Sequence, residues 1–166
     1  PYTAGSTQLV HVLPPETQQG GMEALTEHLA DPAFRETLKA RMLTGSDFEN
    51  ISLLAGFENI VVSSVRLDGL RQYEGQSIAQ IAEQQGKDPF TCLFDLLQAA
   101  HCDVTMIDFI AAEDDICDIL RDAHSCVISD STYPTTGMLH PRVYGTYTTL
   151  LVHFVREKQV LSLEAA

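Results

Sequence analysis

Apolar residues recur at helical spacing in several stretches of this chain. Met22, Leu25 and Leu29 fall on one helical face, and Asp31-Pro32 closes that run. Asp31 can cap a second helix with Pro32 at its first position, where the missing N–H costs nothing. That helix ends near Leu43, ahead of Thr44-Gly45-Ser46. Ser77 reads as another N-cap and Gly86 as the matching C-terminal glycine, with Ile78, Ile81 and Ala82 as the stripe between them. Asp88-Pro89 repeats the cap-plus-proline signal and opens a helix carrying Phe90, Leu93, Leu96 and Leu97. A short acidic helix is predicted from Glu113 to Arg121. A last helix runs from Tyr147 to Val155, with Leu150, Leu151 and Phe154 inward. The closing SLEAA reads as a helix starting at Ser162.

Three stretches carry strand signals. Ile60 to Val65 is β-branched and bounded by polar residues, and Val104 to Phe109 alternates. Cys126 to Ser129 is a short apolar run of the kind found in fully buried strands. The first twenty or so residues, with Pro14-Pro15 and Gly20-Gly21, read as a loop around Leu9 to Leu13. The pattern is that of a helix-rich α/β chain with three short strands.

Composition narrows the function. Of 166 residues, 45% are hydrophobic and 20% charged, which fits a packed domain. The 23 acidic and 10 basic residues leave a net charge of −13, opposite to what phosphate neutralisation requires. Nucleic acid and anionic membrane are therefore not expected partners. No apolar run reaches the roughly 20 residues of a membrane span. The opening lacks the basic and apolar regions of a signal peptide, and the expected location is cytoplasmic. The four cysteines form no Cys-x-x-Cys pair. Cys92 and Cys126 are expected to be buried small hydrophobes. The six histidines show no metal-ligand spacing. The start at Pro1 and the stop shortly after Ser162 suggest a piece of a longer protein.

One segment gathers candidate chemistry: CVISDSTYP from Cys126, then LHPRVYG from Leu139. Asp130 ends the apolar run, where a carboxylate can ligate a metal or act as a general base. Arg142 can clamp a carboxylate bidentately. On spacing alone, a turn-capping Asp130 and a surface Arg142 are equally good readings.

Longer blocks resemble a known family. PYTAGST at the start, LADPAFRETLKARM, ENIVVSSV, SIAQIAEQQGKDPFTCLFDLL and the final ISDSTYPTTGMLHPRVYGTYTTLLVHFVREKQVLSLEAA together resemble, in order, the C-terminal half of the D-aminoacylases. These are N-acyl-D-amino-acid deacylases of the amidohydrolase superfamily. The resemblance implies a fragment of a (β/α)8 metal-dependent hydrolase barrel, its last strand and helix, plus a small inserted α/β domain. Residues 1–8 would follow barrel strand seven. Residues 9–100 would be the inserted domain and crossover helices, and 101–166 the last barrel strand and following helix.

The same resemblance implies a zinc-dependent hydrolysis of the N-acyl amide of N-acyl-D-amino acids. Asp130 would lie at the metal as general base, Arg142 would grip the substrate's α-carboxylate, and Ser6 would lie near the substrate. His140 would be structural. Ser131 stands where the family has Gly, and the loop from Asp130 to Arg142 is about one residue longer than in the family. The other zinc ligands belong to the family's N-terminal half. This chain alone is therefore expected to be inactive and to bind no zinc tightly. Alternatives are a cyclic-amide hydrolase, like the dihydroorotases and hydantoinases, or a non-catalytic α/β interaction module. Exposed apolar edges lead to an expectation of self-association.

Overall fold

A computed structural model describes residues 2–131 and 137–166 of the chain. The elements run β1 (Ala4–Gln8), α1 (Gly21–His28), α2 (Pro32–Thr44), α3 (Ile51–Leu54), β2 (Ile60–Val65), α4 (Ile78–Gln85), α5 (Pro89–Ala99), β3 (Val104–Phe109), α6 (Glu113–Arg121) and α7 (Arg142–Thr149). A π-helical segment, Leu150–Glu157, continues α7.

The helix starts follow the residues' own chemistry. The Asp31 carboxylate accepts the N–H of Ala33 at 2.9 Å ahead of Pro32. The Asp88 carboxylate accepts from Phe90 and Thr91 ahead of Pro89. Ser77 and Gln80 exchange reciprocal bonds, Gln80 N–H to Ser77 Oγ and Ser77 N–H to Gln80 Oε1. Each cap satisfies backbone donors that the first helical turn leaves unpaired. Gly86 takes φ 63°, so the chain turns off α4 at little steric cost.

The sheet is antiparallel, in the order β1-β3-β2. It therefore takes one strand from each of the stretches 1–8, 9–100 and 101–166. A bulge between Val62 and Ser64 shifts the β2–β3 register. The main core lies on one sheet face. There Ile60, Val62 and Met106 meet Leu93 and Leu97 of α5, Ile78 and Ile81 of α4, and Leu25 of α1. A second, smaller cluster joins Cys117 of α6 to Leu150 and Phe154.

The expected helix-rich α/β composition is present, with a small three-stranded sheet. The strands differ from the expected set. Cys126 to Ser129 forms no strand: among the described residues nothing pairs with its backbone, and an extended run becomes a strand only when a neighbour takes its N–H and C=O groups. Cys126 is accordingly exposed rather than buried, and Ile128 is 70% exposed. Cys92 is buried as expected, and burial pushes its thiol up to about 11.

The third strand is β1, in a segment read as loop. Its residues, AGSTQ, have little strand preference, and pairing with β3 overrides that. The last helix begins at Arg142 rather than Tyr147. Leu150 and Phe154 point inward, but the wider π turn leaves Leu151 at 43% exposure. Ser162 starts a turn rather than a helix, with Ala165 N–H donating to its carbonyl. Among the described residues no helix is long and apolar enough to cross a membrane.

Candidate functional site

Strand β1 and the stretch from Asp130 to Arg142, distant in sequence, meet around Arg142. The residue opens α7, and its side chain is 16% exposed. Its guanidinium Nη1 lies 3.1 Å from Asp130 Oδ2, and Nη2 donates to the carbonyl of Ser6 on β1 at 3.4 Å. The three residues singled out in the sequence, Ser6, Asp130 and Arg142, are thus brought together. Ser6 takes part through its backbone carbonyl. The Asp130 side chain is 74% exposed, and its backbone holds φ 46°, which Asp tolerates better than most residues.

The backbone of Arg142 is held as firmly as its head. Its N–H donates to His140 Nδ1 at 3.0 Å, and its carbonyl accepts from the Ser131 hydroxyl and the Thr146 hydroxyl, each at 2.9 Å. The Ser131 hydroxyl thus makes a tie that a Gly at that position could not make. Part of the loop between Asp130 and Arg142, residues 132–136, lies outside the described residues, as does its expected lengthening.

His140 is 4% exposed. Because Nδ1 accepts from Arg142, the proton sits on Nε2, which donates to the Ala4 carbonyl at 2.9 Å. Burial holds the imidazole below its ordinary pKa. The Arg142 charge pushes the same way, against the bond to Ala4.

Asp108 escaped the sequence reading. It sits on β3 opposite Gly5 and Ile60, 3% exposed, and its Oδ1 has no hydrogen-bond partner among the described residues. A Cβ on Gly5 would lie 2.6 Å from that oxygen, so the glycine makes room for the carboxyl. Burial raises the Asp108 pKa, and the charge of Glu49 adds to this, while His140 and Arg142 oppose it. The available signal was an acid on the same strand face as Val104 and Met106.

Ala4, Val61, Ile107 and Phe109 line a cavity of about 720 Å³ on the other sheet face, together with Leu139 and His140. Among the described residues no three His, Cys, Asp or Glu side chains converge to hold a metal ion. Asp130 is a lone carboxylate engaged with Arg142, so these residues do not by themselves fit a catalytic zinc, which takes about three protein ligands.

Comparison with known proteins bears on this arrangement. No protein-family model matches the chain. An N-acyl-D-glutamate deacylase of Alcaligenes xylosoxydans xylosoxydans is 34% identical over 92 residues, which are 55% of this chain and 18% of that relative. Over that stretch the chain is similar to this deacylase. A solved structure, the N-acyl-D-glutamate deacylase of Bordetella bronchiseptica, aligns with the whole chain at a TM-score of 0.63 and 22% identity. That crystal structure holds zinc and a phosphonate inhibitor that mimics the tetrahedral intermediate of the reaction. The likeness extends to the fold, and the chain spans 25% of the solved relative's length.

Proposed function

We propose that this chain is a section of a longer, zinc-dependent amidohydrolase that removes the acyl group from N-acyl-D-amino acids. The observation that carries the reading is the meeting of Arg142 with Asp130 and Ser6, because β1 and α7 lie far apart in sequence. The kinship with N-acyl-D-glutamate deacylases supplies the substrate class. In this reading residues 1–8 and 101–166 belong to the barrel side of the enzyme and residues 9–100 to its insertion.

Each residue has a task that its surroundings support. The Arg142 guanidinium, a planar donor fork, binds the substrate α-carboxylate. An incoming carboxylate competes with Asp130 for that fork and leaves Asp130 free. The freed carboxylate accepts the proton of the attacking water and returns it to the leaving amide nitrogen. The ligands that complete the zinc site lie outside this chain, so the chain alone is inactive and holds no zinc tightly. Exposed Ile119, Ile128 and Tyr144 support self-association of the isolated chain. Light scattering after size-exclusion chromatography would show only monomer if that part is wrong.

The test measures zinc content and hydrolysis of N-acetyl-D-amino acids, with the longer protein and this chain side by side. The expected result is a zinc-loaded, active longer protein and an inert chain. Asp130→Asn in the longer protein should lower kcat by about 10²–10⁴-fold. A longer protein active only on cyclic amides would overturn the substrate assignment. An active, zinc-loaded 166-residue chain would overturn the division of the metal site.

A further inference from the structure

An arginine selects a carboxylate only if its guanidinium is held in place before the ligand arrives. Arg142 reaches its partners through a long, flexible side chain, so both its backbone and its head need anchors. The backbone anchor is His140, whose Nδ1 accepts the Arg142 N–H at 3.0 Å. That N–H is one of the donors the first turn of α7 leaves unpaired, and α7 has no side-chain N-cap of the usual kind. The head anchor includes the Ser6 carbonyl on β1.

The other nitrogen of the same imidazole donates to Ala4, two residues before Ser6 on that strand. His140 therefore joins the backbone that carries the guanidinium to the strand whose carbonyl receives it. The ring is itself braced. Tyr2 packs edge-on at 5.3 Å between ring centres, and the Tyr2 hydroxyl bonds Thr149 Oγ1 at 2.9 Å, further along α7. The result is a closed frame of β1, His140 and α7, with Arg142 at one corner.

We propose that His140 is a positioning residue that sets Arg142 for carboxylate capture by tying the start of α7 to β1. The proposal rests on the reading of Arg142 as the carboxylate clamp. It also accounts for the side-chain chemistry required at position 140: an acceptor on one side of the ring and a donor on the other, both used and both buried. A residue serving only to fill space needs neither.

Three variants of His140 in the longer enzyme test this, compared with Arg142→Ala. Asn places an acceptor near the position of Nδ1 but gives up the bond to Ala4. Gln places a donor near the position of Nε2 but gives up the bond to Arg142. His140→Ala should raise KM for carboxylate-bearing substrates about tenfold or more. It should leave kcat within about threefold and have no effect on the matching α-carboxamide substrate. His140→Asn and His140→Gln should each recover part of the loss.

A second readout needs no activity. In ¹⁵N NMR of this chain, the Arg142 guanidinium should show restricted Nη rotation in the wild type and His140→Asn, and free rotation in His140→Ala. If Arg142→Ala leaves KM for carboxylate substrates unchanged, the clamp reading fails and the proposal falls with it. If Arg142→Ala raises KM but His140→Ala does not, the proposal alone is overturned. Equal losses on carboxylate and carboxamide substrates would also overturn it, because they indicate general structural damage.

Discussion

Phe94 and Phe154 are each 2% exposed, yet they sit in differently built regions. Phe94 lies in the main core, where α5 and α4 pack on the sheet and each helix start is capped by its own side chains. Phe154 belongs to a cluster in which, among the described residues, only Cys117 and Leu150 are buried beside it, edged by half-buried Ile116, Leu120 and Val160. The helix that carries Phe154 has Pro141 at its N-cap position, which offers no side-chain acceptor, and runs into a π-helical turn. Ion pairs supplement its packing: His153 to Glu113 at 2.7 Å and to Glu157 at 3.0 Å, and Lys158 to Glu113 at 3.0 Å. Equal burial of one side chain therefore does not mean equal support. The Arg142 site stands at the seam, with Ser6 on the well-packed side and Arg142 on the other.

The largest effect should separate the two phenylalanines. Phe94→Ala should lower global stability by about 3–5 kcal/mol in urea unfolding. Phe154→Ala should leave the main transition nearly in place and expose only amides of α7 and its π-helical continuation to hydrogen exchange. If the two variants unfold alike, the regions are one cooperative unit and the contrast fails.

Asp108 is a weak point within the strong region. Its raised pKa means that the native state loses stability as pH climbs from the ordinary carboxylate value, near 4, through the raised one. Asp108→Asn removes this titration and should be more stable at neutral pH by about 1–3 kcal/mol. The advantage should shrink as acid protonates the wild type. Parallel stability–pH curves for the two proteins would show that the buried charge costs nothing.

A smaller effect concerns the caps. Asp88 bonds two backbone N–H groups and the Thr91 hydroxyl, and pairs with Lys39 at 3.0 Å. Asp88→Ala should cost about 1 kcal/mol, read as a lower urea midpoint with an unchanged slope. A changed slope would mean that the residue shapes the unfolded chain instead.

The smallest effect belongs to His153. Its bonds to Glu157 and Glu113 raise its pKa above the ordinary value near 6.5. Its contribution is therefore complete below that value and is lost as pH rises through the raised one. Lys158, which also pairs with Glu113, keeps its charge across this range. Exchange of the amides around Phe154, corrected for intrinsic pH dependence, should speed up over that window while the sheet amides stay protected. A His153 imidazole titrating at or below 6.5 in NMR would remove this source of support.

The candidate site was partly legible. Asp130 and Arg142 stand out as an acid after an apolar run and an arginine in His-Pro-Arg, and Ser6 follows from resemblance to the D-aminoacylases. Their meeting was not legible, because it depends on β1 pairing with β3 across about a hundred residues of chain. Asp108 was hidden for the same reason. Its burial follows from lying opposite Gly5, and neither residue signals the other locally.

The residue order is enough to start α2, α4 and α5, because Asp31, Ser77 and Asp88 sit within three residues of the N–H groups they satisfy. It is enough for β2 and β3, whose apolar residues call for burial wherever they go. It is not enough for β1, whose AGSTQ sequence becomes a strand only when β3 offers it an edge. Nor is it enough for Cys126 to Ser129, which look like a strand but find no neighbour among the described residues. A cap or a helical stripe closes over a few residues at small entropic cost. A strand, or an arginine held between a carboxylate and a distant carbonyl, exists only after the chain has brought remote segments together.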